Sequence, residues 1–134
     1  MLQRQHNDNL WVKMLKTINT QLEGLGLNYE FQRMTKNPVT YPYWVGDYTE
    51  PEGLTEDGLE TPTFLLTGFA RGTFEQLEND KNKIKDHFEH GVSVITESGD
   101  AVVIYYAGCI PIPLEDDDLK KIQVNLSIKI WKGN

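Results

Sequence analysis

Residues 122–130 read IQVNLSIKI, and this stretch decides the fold. Ile122, Val124, Leu126, Ile128 and Ile130 alternate with Gln123, Asn125, Ser127 and Lys129. Side chains on a strand point to opposite faces at every step, so this period of two predicts a strand with one buried face and one wet face. Just before it, residues 92–96 and 101–106 are apolar runs flanking Glu97-Ser98-Gly99-Asp100, the signature of a hairpin. The C-terminal part of the chain therefore reads as a β-meander.

Working back toward the N-terminus, the period changes. Phe74, Leu77, Lys81, Ile84 and Phe88 recur at helical spacing, with the lysine stem able to lie along the apolar stripe. Thr73 and Gln76 predict a capping box at its start. Glu75, Glu78 and Asp80 precede Lys81, Lys83 and Lys85, the order that suits the helix dipole. Residues 63–69 (TFLLTGF) read as a buried strand. Residues 40–48 (TYPYWVGDY) are aromatic and β-prone, but Pro42 lacks a donor, which predicts an edge strand or one with an irregular start. Residues 27–33 alternate through Leu27, Tyr29 and Phe31, a further strand. Leu10, Trp11, Met14, Leu15, Ile18 and Leu22 form one stripe on an opening helix over residues 9–23, with Asp8 as N-cap and Gly24 or Gly26 as the stop. The order α-β-β-β-α-β-β-β predicts one α+β domain over residues 1–134: a mostly antiparallel β-sheet with two amphipathic helices packed on one face.

Composition agrees with a folded domain, at 39% hydrophobic and 25% charged residues. Cys109 is the one cysteine and cannot pair within the chain, which suits a reducing compartment or a particle assembled inside a cell. The most apolar stretch, residues 101–113, is interrupted by Gly108 and two prolines and is too short to span a membrane. The N-terminus has no apolar signal core, so the chain is expected to be soluble and not exported. A net charge of −7 argues against a general nucleic-acid binder, which needs clustered Lys and Arg. The acid is uneven: Asp47, Glu50, Glu52, Glu56, Asp57 and Glu60 fall in one stretch with no base. Residues 1–36 instead hold five bases against three acids. Two electrostatic poles that orient copies of the protein, or solvated loops with incidental charge, fit this equally.

No catalytic constellation emerges. His87 and His90 stand three apart, a spacing that suits a metal, yet no Cys or third His is near, and a basic group at a helix C-terminus is favourable in itself. The run Glu115-Asp116-Asp117-Asp118 lacks the glycine and spaced ligands of a calcium loop and reads as a solvated turn. Cys109 has no identifiable base and reads as a small core thiol. Phosphate-loop, dinucleotide, nucleophile-elbow and zinc-protease motifs are absent. The expectation is a protein that is not an enzyme and needs no cofactor or metal.

What stands out is the connection over about residues 49–61, longer than compact domains ordinarily leave without structure. Its acids surround Leu54 and Leu59, a composition that can dock into a partner and become ordered there. Glu50, Glu52, Leu54, Glu56, Asp57, Leu59 and Glu60 are thus candidate protein-interface residues. Trp131 and the wet face of the last strand form a second candidate surface, because an exposed terminal strand can pair with a neighbouring subunit.

Taken together, the chain resembles the tail-completion (tail-terminator, head-tail joining) proteins of long-tailed bacteriophages. The likeness runs through the opening amphipathic helix, TYPYWVGDY, the long loop into PTFLLTGFARG, the helix TFEQLENDKNKIKDHF and the terminal meander. It implies a virion structural protein without enzymatic activity, assembled in the host bacterial cytoplasm and located at the head-tail interface. Its partners would be itself, in a ring that is typically hexameric, the tail-tube protein and the head-connector protein. DNA would only pass through the lumen, and the acidic loop would lie at an interface or in that lumen. The alternative expectation is a small acidic regulatory or inhibitory module whose loop engages a basic partner. A third is an enzyme whose site forms between subunits.

Overall fold

The computed structural model describes residues 2–49, 59–96 and 99–131. They form an α+β fold of two helices and seven strands. In chain order these are α1 (Leu2–Gly24), β1 (Tyr29–Phe31), β2 (Tyr43–Thr49), β3 (Leu59–Glu60), β4 (Thr63–Arg71), α2 (Glu75–Phe88), β5 (Val92–Ile95), β6 (Ala101–Ile112) and β7 (Leu119–Trp131). The sheet runs β1-β2-β4-β7-β6-β5, with β3 added at the far end of β7.

The sheet is mixed. β1 pairs with β2 in parallel, while the remaining pairs are antiparallel. Alternation of side chains carries no strand direction, and the connection from β1 to β2 is long enough to bring the chain back to the same end. β2 is not an edge strand: it lies between β1 and β4, and it begins at Tyr43, just after Pro42, pairing with β4 in unbroken register. The terminal strand is not exposed at an edge either. β7 lies at the centre, paired with β4 on one side and β6 on the other, so its alternation reflects a two-faced central strand.

The alternation of β7 extends across the sheet through the register. Trp44 pairs with Gly68 and Gly68 with Ile122; Tyr48 pairs with Phe64 and Phe64 with Leu126; Ile128 pairs with Ile104. These positions share one face. Among them Trp44, Phe64, Leu66, Ala70, Val102, Ile104 and the five aliphatic residues of β7 are fully buried. Met14, Ile18 and Leu22 of α1 and Leu77, Ile84 and Phe88 of α2 join the same cluster. Burying each such side chain is worth about 1.5–3 kcal/mol, which is why both apolar stripes fold onto the sheet. The two helices also touch each other, with His87 Nε2 and Gln21 Oε1 2.7 Å apart.

Two local expectations are corrected. α1 begins at Leu2, so Asp8 lies within it and does not cap it. α2 begins at Glu75 behind Phe74, with no side-chain cap, so Thr73 and Gln76 form no capping box. The expected hairpin of β5 and β6 is present, and β6 continues past Tyr106 through a bulge before Cys109, where Gly108 adopts φ +109°.

Candidate interaction surface

The other face of the sheet is built from the odd-numbered positions of β7 and their partners. Tyr43 pairs with Phe69 and Phe69 with Lys121; Val45 pairs with Thr67 and Thr67 with Gln123; Val103 pairs with Lys129. None of these residues is fully buried, in contrast to every aliphatic position of β7 on the core face. Ile95, Ile110 and Trp131 are 69%, 58% and 38% exposed, and the register places all three on this face. Ile95 and Trp131 are neighbours through Ala101 at one end of the face, whereas Ile110 lies beside Gln123, eight residues along β7.

At one end the face carries a row of rings. Tyr43 stacks on Phe69 with centroids 4.9 Å apart, and Tyr41 follows Tyr43 at 5.4 Å. A cation closes each end: Lys121 Nζ lies 5.6 Å from the Phe69 centroid and the Arg71 guanidinium 5.4 Å from that of Tyr41. Each contact of this kind is worth about 0.5–1 kcal/mol at an exposed site and fixes the ring's orientation. Lys129 repeats the pattern over Tyr105, at 5.5 Å. The rings wall a cleft of about 440 Å³, also lined by Val45, Asp47, Lys121 and, from the loop after β1, Arg33 and Val39.

Arg71 is also held from its other side. Its Nη1 lies 3.2 Å from Asp118 and 3.5 Å from Asp116. The hydrogen bond to Asp118, followed by that to Tyr41, raises the guanidinium pKa further above its ordinary range. The Asp118 amide donates to Asp116 Oδ1 at 2.9 Å, and that bond, assisted by Arg71, holds the Asp116 carboxyl below its usual range. The run 115–118 is thus a turn that anchors Arg71. Burial, then the nearby Tyr41, raises the Tyr43 phenol, with Arg71 opposing.

The residues expected from sequence distribute as follows. Glu50, Glu52, Leu54, Glu56 and Asp57 lie outside the described residues. Leu59 and Glu60 belong to β3 and pair with Trp131 and Ile130, so the connection regains regular structure two residues before residue 61. The same ladder ties Trp131 to the end of the acidic stretch. Cys109 is half-buried on the core face beside Tyr106, whose phenol is pushed up to about 12, chiefly by burial and then by its hydrogen bond to Cys109. His87 spends its Nε2 on Gln21, and among the described residues no group of three or more His, Cys, Asp or Glu converges. No helix among the described residues is long and apolar enough to cross a membrane. The cation-ended aromatic row was missed by sequence reasoning. Its one signal was the aromatic density of residues 41–44 together with Phe69, but their contact depends on a register that sequence does not display.

No family model and no curated protein matches the chain. Among solved structures, one protein designated only by a sequence identifier superposes with a TM-score of 0.70 at 11% identity, over 96% of this chain and 97% of that one. Identity at that level speaks to the fold alone.

Proposed function

We propose that this chain is a structural assembly protein of a bacteriophage particle, forming a ring that caps the tail tube and joins it to the head connector. The observation that supports the reading is the exposed sheet face, where Tyr43, Phe69, Ile95, Ile110 and Trp131 lie half-covered or open to solvent. The reading takes the sheet as mostly antiparallel, with both helices on one face and the other reserved for neighbouring subunits or the tube. It gives the chain no chemistry of its own and places it in the virion, after assembly in the bacterial cytoplasm. The phage identity rests on the sequence resemblance, and the exposed face supports assembly as the mode of action.

Two measurements test it. Genes for a major tail protein and a tape-measure protein are expected beside the gene for this chain. Electron microscopy of the purified protein, alone and mixed with tail tubes, should show rings, at least on the tube ends. A chain that light scattering finds monomeric under both conditions, and that leaves tube ends bare, overturns the proposal.

A further inference from the structure

We infer that the aromatic cleft of β2, β4 and β7 is a receptor for the acidic segment of a second copy of this chain, residues 50–58. The inference rests on the assembly reading and names the contact that would join one subunit to the next. It begins with chemical fit. The cleft offers Arg33 and Lys121 beside the rings of Tyr43 and Phe69, with Asp47 its one acidic lining residue. Residues 50–58 offer Glu50, Glu52, Glu56 and Asp57 around Leu54, with no base. Carboxylates facing the cations and a leucine against the rings would satisfy both charge and apolar surface.

The length of the segment decides which copy supplies it. It leaves β2 at Thr49 and re-enters the sheet at Leu59, opposite Trp131. At about 3.3 Å per residue, the cleft at Tyr43 is about 20 Å from Thr49, and Lys121 is about 33 Å from the level of Leu59. A round trip therefore needs roughly 53 Å, whereas the chain between Thr49 and Leu59 spans about 36 Å even when fully stretched. Within one molecule the segment cannot reach Tyr43, Phe69 and Lys121 and return. A second copy has no such limit. The donor and the receptor are different surfaces, so the contact can run head-to-tail from copy to copy and close into a ring, the form the assembly reading requires.

The test is fluorescence anisotropy of a labelled peptide of residues 49–58 titrated with the full-length protein. Saturable binding that weakens as salt is raised is expected. Lys121→Glu should weaken it at least tenfold, and Lys129→Glu, on the same face outside the cleft, by less than twofold. A peptide carrying the four acids as amides should bind the unmodified protein at least tenfold more weakly, which decides the matter even if Lys121→Glu does not fold. Equal binding of the amide peptide, or no binding of the acidic one, overturns the inference. Peptide binding without rings on tail tubes would sustain this contact and remove the phage reading. Rings that form undiminished when Glu50, Glu52, Glu56 and Asp57 are amides in the full chain would do the reverse.

Discussion

Asp116 shows how an exposed residue can still report the fold. Its carboxylate accepts the Asp118 amide and faces Arg71, and both favour the charged form. A folded-state pKa below the unfolded value means that the stabilisation is present above the ordinary value of 3.8 and is lost as pH falls through the folded pKa. An NMR titration should find the Asp116 midpoint below that of an aspartate in a short peptide. Arg71→Gln should move it only part of the way back, because the amide remains; full return would show that the ion pair and not the turn is the main cause. In the sequence, Asp116 was one of four acids in a row. Nothing there distinguished the one that accepts an amide from its solvated neighbours, because the distinction lies in the turn's backbone.

At the scale of elements, the spacing between α2 and the sheet depends on a glycine. Trp44 is fully buried, donates from Nε1 to Asp80 Oδ2 at 2.9 Å, and so ties β2 to α2. The ring lies over Gly68, where a Cβ would stand 2.8 Å from Trp44 Cη2 and 2.9 Å from Leu77 Cδ2. Gly68→Ala must therefore push the indole or the helix outward, and overpacking of this kind costs about 1–3 kcal/mol. Chemical denaturation should show a midpoint lowered to match, with the slope unchanged; an unaltered midpoint would mean that the helix yields freely. The sequence displayed the element types well. Ile122 to Ile130, the α2 stripe and the β5–β6 hairpin were legible because a repeat of side-chain character survives in one dimension. The parallel pairing of β1 with β2 and the central place of β7 were not, since pairing partners and direction leave no mark on alternation.

Over the whole molecule, one sheet separates two environments: a core sealed by both helical stripes, and an outer face of rings, cations and half-covered aliphatics. The candidate site on that outer face is legible only after the register is known, because Tyr43, Phe69 and Lys121 come from three strands far apart in sequence. The acidic stretch was legible at once, yet its counterpart was not. The central position of β7 governs stability as well. It carries five fully buried aliphatic side chains and supplies a ladder to β3, β4 and β6. A chain stopped before Leu119 should lack cooperative unfolding in circular dichroism and be cut rapidly by protease; a protected core in that fragment would show that β4 and α2 hold together without it. During synthesis on the ribosome, β4 emerges well before β7, the strand that must insert between it and β6, and β6 only just before it. Until β7 is translated, the facing edges of β4 and β6 stand open together, so the nascent chain passes through an interval in which a chaperone, or its own dilution, must keep those edges apart.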